Sequence, residues 1–199
     1  MPSPSGIAGP IPPGQDPDEY DRRRRRVLWS MPTGLFVVGS RAGDIANLMT
    51  ANLVMQVSTS PKLVAVAVEA GSVTAGLIRQ SATFSISILA RADRSMVRRF
   101  VKPVDDLEFG PDQTIATMHG ESVAEVTGGV PVLASAVGWL ACELRRTVEL
   151  EVDPGEGGSH VLFIGEVVDV GETAGVDDQA EPGSGEVLRM EDTRMNYGG

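Results

Sequence analysis

The sequence predicts a mainly β protein built as a closed or split antiparallel barrel, with a few short peripheral helices. Three observations support this fold class. At least six short apolar segments, bounded by turn residues, recur at irregular spacing. Several of them are apolar on both faces, which favours a barrel over a sandwich. No G-x-G-x-x-G motif follows a strand and opens a helix, so nothing indicates a Rossmann fold.

Side-chain alternation locates the individual strands. Leu35 to Ser40 is a short β-branched run, and Lys62 to Glu69 carries valines on one face with Leu and Ala on the other. Thr83 to Leu89 alternates apolar residues with serines, which predicts one polar face. Two longer alternating stretches, Gly138 to Val152 and His160 to Val170, are separated by Pro, Gly and acidic residues and predict a hairpin.

Helical patterns are fewer and shorter. Ser72 or Thr74 is expected to cap a short helix within Gly71 to Arg79, and Arg94 to Phe100 resembles an amphipathic helix. Residues 102 to 129 show weaker patterning, which predicts a long excursion with partial structure. We expect an acidic, Gly-rich loop from residue 172 to 186, then a return of apolar character at residues 187–190 and a docked chain end at 196–199.

Length and composition narrow the class of protein. The 199 residues predict one domain, residues 18–199, after a Pro-, Gly- and Ser-rich segment, residues 1–17, that is disordered or arm-like. The net charge of -10 argues against a nucleic-acid partner. No signal peptide or membrane-length apolar run is visible, and the single Cys142 fits a reducing compartment. We therefore expect a cytoplasmic protein without a membrane partner and without a metal site.

Arg22 to Arg26 is the strongest charge run. It lies in a predicted helix from Pro17 to Trp29, which begins with an Asp16 cap. The run can be read as an anion-binding patch or as a solvated helix face with acidic residues one turn away. The acidic balance of the whole chain favours the solvated face.

The stretch from Asn47 to Pro61 mixes amides and hydroxyls with large apolar residues. A core strand would not tolerate so many polar groups without partners, and a surface loop would not need the apolar ones. One interpretation is a pocket wall for a ligand with an apolar middle and polar edges. The other is a half-buried strand whose amides bond neighbouring backbone.

The order of several short motifs resembles the flavin reductase-like family with the FMN-binding split-barrel fold. The motifs are Pro32-Thr33-Gly34, the wall at 47–61, Gly71-Ser72-Val73-Thr74, Thr83 to Leu89, and Gly157-Gly158-Ser159-His160. The resemblance implies a homodimer that holds FMN or FAD at its interface. It also implies NADH or NADPH as electron donor, and a partner monooxygenase that receives the reduced flavin.

The same resemblance implies roles for individual residues. Thr33 and Gly34 are expected near the flavin ring, and Ser58 at the end of the wall. The wall itself would line the ring and ribityl chain, with Thr50 and Asn52 as its polar contacts. Its lining residues are Leu48, Met49, Thr50, Ala51, Asn52 and Leu53.

Two further elements are expected to meet the phosphate and the nicotinamide. Ser72 and Thr74 would contact the phosphate at a helix N-terminus. His160 matches the family's Gly-Asp-His element and is the candidate catalytic residue, shaping the nicotinamide side of the pocket. Ser159 stands where the family has Asp, and Lys62 replaces the second of two prolines. A strand-opening histidine bonded to a carbonyl is the alternative role of His160.

Three functions remain open at this level. The first is an NAD(P)H-dependent flavin reductase, in which hydride passes from nicotinamide C4 to flavin N5. The second is a flavin-binding or electron-transfer protein without its own turnover. The third is a structural dimer that has lost its ligand. The visible spectrum of the purified protein, before and after NADH, separates the three.

Overall fold

The computed structural model describes residues 9–153, 156–172 and 187–193, which form two antiparallel sheets and three helices. The helices are α1 (Pro17–Trp29), α2 (Val73–Ser81) and α3 (Met96–Arg99). The strands are β1 (Phe36–Ala42), β2 (Ile45–Ala51), β3 (Val54–Thr59), β4 (Lys62–Glu69), β5 (Thr83–Ile88), β6 (Leu107–Phe109), β7 (Ile115–Met118), β8 (Glu121–Val126), β9 (Val130–Leu133), β10 (Gly138–Asp153) and β11 (Glu156–Glu172).

Seven strands form the main sheet in the order β2-β1-β5-β10-β11-β4-β3. The two outermost strands, β2 and β3, are consecutive in sequence and are joined by Asn52 and Leu53. They are therefore two halves of one bent strand, of which the first half pairs with β1 and the second with β4. This change of partner closes the sheet on itself. The architecture confirms the predicted mainly β split antiparallel barrel.

The barrel interior is filled by side chains that alternate inward along each strand. Val38 of β1, Phe84 of β5, Cys142 of β10 and Phe163 of β11 all belong to this buried cluster. Val64, Val66 and Val68 point into it from β4, as the predicted alternation requires. Helix α2 covers one end of the cluster with Ala75 and Ile78.

A second layer covers the outer face of β1, β2 and β5. It contains α3, the four-stranded sheet β6-β7-β8-β9 and the segment around Leu188, which share a second buried cluster with Leu35, Val37 and Leu48. Strand β9 crosses β1 so closely that a Cβ on Gly39 would lie 2.1 Å from the carbonyl oxygen of Pro131. Glycine at this position is what permits the crossing.

The helix starts agree with the sequence. Asp16 caps α1, because its Oδ1 accepts a hydrogen bond of 2.9 Å from the backbone N–H of Glu19. Every residue of α1 keeps part of its surface exposed, which fits the interpretation of the arginine run as a solvated face. Its acidic partner differs from expectation: Asp21, rather than a residue of the first turn, pairs with Arg24. None of the helices in the described ranges is long and apolar enough to cross a membrane.

Other segments differ from expectation. The predicted helix at 94–100 is reduced to the four residues of α3, because the 3-10 turn at Arg91–Asp93 precedes it and Phe100 leaves helical geometry. The excursion at 102–129 contains β6, β7 and β8, whose short runs give too few alternations for recognition. Leu188 is buried in the second cluster. The predicted loop at 173–186 and the end at 196–199 lie outside the described residues.

Candidate functional site

The first turn of α2 lies close to Ser159 and His160 of β11. The backbone N–H of Ser72 donates to the carbonyl of Glu69, and Glu69 pairs across the sheet with His160. The N–H of Ala70 also donates to the carbonyl of Ser159, at 2.9 Å. Because these contacts share one end of β4, Ser72 and His160 occupy one edge of the barrel.

The bend between β2 and β3 reaches the same end of the sheet. The carbonyl of Leu53 accepts a hydrogen bond of 2.9 Å from the N–H of Ala67, and Ala67 pairs with Leu162 of β11. His160 lies two residues before Leu162 and therefore on the same face of the strand. Four predicted site residues, Asn52, Leu53, Ser72 and His160, are thus brought into one neighbourhood by the register of β4 and β11.

His160 itself is half-buried. Its Nδ1 lies 2.9 Å from the hydroxyl oxygen of the preceding Ser159. A serine at this position can therefore orient the imidazole. Among the described residues, the ring is bonded to this side-chain hydroxyl and not to a neighbouring carbonyl.

The start of α2 supplies hydrogen-bond donors. Ser72 is the N-cap, and its side-chain oxygen accepts from the N–H of Ala75 at 3.2 Å. The next N–H in the chain, that of Gly76, bonds the carbonyl of Ser72. Helix geometry leaves the N–H groups of Val73 and Thr74 without an intrahelical acceptor. These two donors and the positive end of the helix dipole suit an anion.

Three predicted contacts have side chains that face the interior. Leu48 belongs to the buried cluster under the second layer. The hydroxyl of Thr50 donates to the carbonyl of Val97 at 2.8 Å, and that of Thr74 accepts from the amide of Asn47 at 2.8 Å. These contacts hold the site's backbone in place. Direct contact of Leu48, Thr50 or Thr74 with flavin stays a prediction.

Asn47 is a positioning residue that the sequence did not single out. Its side chain is buried, and besides bonding Thr74 it accepts a hydrogen bond of 2.8 Å from the N–H of Val104. One amide thereby joins β2, α2 and the loop after α3. The signal in the sequence was the surplus of polar groups in the wall, but composition does not say which of them is buried.

Thr33 and Gly34 lie in a separate groove of about 590 Å³. Trp29, Met31 and Phe36 give it apolar walls, and residues 187–191 cross its rim. The crossing segment is held by hydrogen bonds from the N–H of Leu35 to the carbonyl of Leu188 and from the N–H of Met190 to the carbonyl of Thr33. Phe36 pairs with Ala51, so the groove adjoins the bend at Asn52.

The other wall residues are spread along the bent strand. Met49 is half-buried and packs against the barrel interior, and Ala51 is buried in it. Ser58 follows an irregularity in the pairing of β3 and lies opposite Leu63. The structure therefore places Ser58 at the far end of the wall, several residues from the bend, where its role stays a prediction.

The electrostatics exclude a reactive thiolate near the site. Burial raises the pKa of Cys142 to about 12, so this thiol stays protonated at neutral pH. Within residues 9–153, 156–172 and 187–193, no three His, Cys, Asp or Glu side chains gather as they would around a metal ion. What the site offers instead is backbone donors, a histidine and exposed apolar surface.

This set of groups fits a flavin. A flavin needs flat apolar surface for its ring system, donors for its phosphate, and polar groups near the ring edge where charge develops on reduction. Leu53 and Val73 expose apolar surface beside the α2 N-terminus. The donors of Val73 and Thr74 suit the phosphate, and Asn52 and His160 supply polar groups on the same edge of the barrel.

Comparison with known proteins agrees with this fit. The family described as flavin reductase like domain matches residues 28–193. An NADH-dependent FAD reductase from Streptomyces globisporus is 32% identical over 158 residues, 79% of this chain and 80% of that protein. An NADPH-flavin oxidoreductase from Streptomyces viridifaciens is 29% identical over 149 residues, covering 74% of this chain and 71% of that one.

A solved structure gives the same result. The NADH:FAD oxidoreductase SgcE6 from Streptomyces globisporus C-1027 superposes with a TM-score of 0.61 at 29% identity, covering 83% of this chain and 85% of that one. The same oxidoreductase has also been solved in complex with NAD and FAD fragments. The family match spans most of the chain and agrees with the fold. The chain belongs to the flavin reductase-like family.

Proposed function

We propose that the chain is an NAD(P)H-dependent flavin reductase. The observation that carries this proposal is the meeting of the α2 N-terminus and His160 at one end of β4, beside the bend at Asn52 and Leu53. Phosphate donors, a histidine and apolar surface then share one open edge of the barrel. When bound, the flavin supplies the redox chemistry, accepting at N5 a hydride from nicotinamide C4.

The chain's own residues bind and orient. The N–H groups of Val73 and Thr74, with the Ser72 cap, hold the flavin phosphate at the positive end of α2. Such local donors are needed because the net charge of -10 would otherwise repel an anion. Asn52 would hydrogen-bond the polar edge of the ring system, and the exposed side chain of Leu53 would pack against its apolar part.

His160 acts on the nicotinamide side. Its bond to Ser159 fixes the direction of the ring, so the imidazole forms one wall of the nicotinamide site. We assign it a role in orientation rather than proton transfer, because hydride transfer between the two rings needs alignment at close distance and no protein acid.

The site is completed by a second copy of the chain. The register aligns two rows on the outer face of β10, β11, β4 and β3: Val148, Leu162 and Ala67 in one, and Arg146, Ile164, Ala65 and Met55 in the other, of which Ala65 is buried. Met55 is 64% exposed. Val148 is also exposed, and exposed apolar patches of this kind mark interaction sites. A homodimer across this face would bury the rows and cover the flavin edge.

The remaining assignments follow from the reaction. Reduced flavin reoxidises in air, so a reductase that releases it is expected to supply a partner monooxygenase. The nicotinamide donor is NADH or NADPH, both of which occur in relatives by name. We place the protein in the cytoplasm, where both nucleotides are available, and expect FMN or FAD as the flavin.

One spectroscopic experiment tests the function. Purified protein is titrated with flavin under anaerobic conditions, and NADH or NADPH is then added while the visible flavin band is recorded. A reductase bleaches the band at the expense of nicotinamide absorbance. Flavin binding without bleaching would indicate the flavin-binding or electron-transfer alternative, and the absence of any flavin binding would contradict the proposal.

The role of His160 is tested by His160→Ala. We expect the KM for NADH to rise roughly ten-fold, or about 1.4 kcal/mol, because the imidazole that forms one wall of the nicotinamide site is removed, with flavin affinity unchanged. His160→Asn keeps a polar group near the position of Nδ1 and should recover part of the loss. An unchanged KM and an unchanged rate in His160→Ala would remove this residue from the site.

A further inference from the structure

The turn between β4 and α2 is hydrogen-bonded on two sides through one residue, Ala70. Its N–H donates to the carbonyl of Ser159 at 2.9 Å, and its carbonyl accepts from Nη1 of Arg79 at 3.4 Å. Ser159 is the residue whose hydroxyl bonds the ring of His160. A single residue therefore lies between Arg79, in the last turn of α2, and the serine that orients the imidazole.

The guanidinium of Arg79 is also fixed by the main sheet. The side chain reaches back along α2 because helical side chains point toward the N-terminus. Its Nη2 donates to both carboxylate oxygens of Glu149 on β10, at 2.9 and 3.2 Å. The guanidinium carbon lies 5.8 Å from the centre of the Phe163 ring on β11, within cation–π range. Arg79 thus joins α2, the turn at Ala70 and two strands.

Glu149 lies close to the proposed nicotinamide site. It pairs across the sheet with Val161, the residue that follows His160. The carboxylate that fixes Arg79 and the strand that carries the imidazole are therefore neighbours. A displacement of Arg79 would reach Ala70 and Ser159 directly.

The two attachments of α2 to the barrel differ in burial. On the β2 side, the buried amide of Asn47 donates to the hydroxyl of Thr74. On the β10 side, the side chains of Arg79 and Glu149 are 38% and 55% exposed. Exposed ion pairs add little to the free energy of unfolding. Arg79 can therefore influence the site without deciding whether α2 folds.

We propose that Arg79 is a positioning residue for the nicotinamide site, acting through Ala70 and Ser159 on the direction of the His160 ring. This inference rests on the proposed function and adds a residue to it. A guanidinium suits the role because its fixed fork donates to Ala70 and to both oxygens of Glu149 at once. The compact ammonium of a lysine does not reproduce that geometry.

Steady-state kinetics with NADH tests this role. The variants are Arg79→Ala, Arg79→Lys, Glu149→Gln, His160→Ala and the double variant Arg79→Ala/His160→Ala. Flavin dissociation constants and urea stability are measured for each. Arg145→Ala is the matched control, because Arg145 is an exposed arginine of the same hairpin that pairs with Glu166 at 2.7 Å.

We expect Arg79→Ala to raise the KM for NADH about three- to five-fold, the effect of one exposed ion pair, with kcat and flavin affinity within about two-fold of the wild type. Arg79→Lys should recover part of the loss. Glu149→Gln should also raise KM, because it releases the guanidinium from β10. In the His160→Ala background, Arg79→Ala should add no further rise, since the group through which it acts is gone. Arg145→Ala should behave as the wild type.

Other results would overturn the proposal. A KM that falls in Glu149→Gln, with full recovery in Arg79→Lys, would mean that Arg79 attracts the anionic nucleotide by charge alone. A full Arg79→Ala effect in the His160→Ala background would mean that Arg79 acts independently of the imidazole. An unchanged KM in Arg79→Ala, with or without a loss of stability, would leave Arg79 a purely structural role. Wild-type protein that oxidises no NADH would instead remove the proposed function, and this inference with it.

Discussion

The two halves of the bent strand, β2 and β3, have similar composition and opposite surroundings. Both mix amides or hydroxyls with large apolar residues. Five of the seven residues of β2 are buried, whereas none of the six residues of β3 is. The difference lies in what covers them: β2 has α2 on one side and the second layer on the other, while the outer face of β3 is uncovered in the described chain.

This contrast explains what the polar groups in the wall do. In β2 they make buried bonds that join separate elements, as Asn47 and Thr50 do. In β3 the amide of Gln56 donates to the backbone carbonyl of Ser58, two residues away, so this bond joins no separate elements. A pocket wall and a half-buried strand were the two interpretations of this stretch. In the structure, polar side chains of β2 bond other elements, whereas most residues of β3 are exposed.

The largest effect is expected from Asn47→Ala. The change leaves the Val104 N–H and the Thr74 hydroxyl without their partner, at a cost of about 3 kcal/mol in the free energy of unfolding. Urea denaturation followed by circular dichroism measures it. The matched variant on the other half, Gln56→Ala, should stay within about 0.5 kcal/mol of the wild type. Equal losses of unfolding free energy in the two variants would mean that burial beneath other elements does not decide the role of these amides.

The next effect concerns association rather than folding. Met55→Glu places a charge in the exposed apolar row of β3 and should weaken the homodimer at least about 100-fold, or roughly 2.7 kcal/mol, with little loss of monomer stability. Sedimentation over a concentration series measures the dissociation constant.

A control with equal exposure lies on β2. Ile45 is 61% exposed, close to the 64% of Met55, but it lies at the start of β2, away from the proposed interface. Ile45→Glu should leave the dimer intact. If both variants dissociate, or if neither does, the outer face of β3 and β4 is not where two copies meet.

The contrast also shows what the sequence can predict. The valines of β4 and the caps Asp16 and Ser72 are local signals, and the structure confirms them. The pairing of distant strands is not a local signal. His160 lies near Ser72 because β11 pairs with β4. In the sequence, only the family resemblance indicated that these two residues are close.

The interior position of Thr50 shows a further limit. A threonine on a strand is compatible with a ligand contact, a cross-strand pair or a bond to another element, and these differ by what lies opposite. Here Val97 lies opposite, because α3 packs under β2. Residue type and spacing carry no information about that contact, since 46 residues separate Thr50 from Val97 along the chain.

The smallest effect is expected from Thr50→Val, which keeps the shape of the side chain and removes its bond to the Val97 carbonyl. The carbonyl is then buried without this donor, so the free energy of unfolding should fall by about 1 to 2 kcal/mol. Thr59→Val, the matched change at an exposed position of β3, should fall within about 0.5 kcal/mol of the wild type.

Flavin titration of Thr50→Val adds a second readout. Because the hydroxyl points at α3, flavin affinity should be retained in the folded variant, and a selective loss of flavin binding at unchanged stability would show that Thr50 contacts the ligand directly.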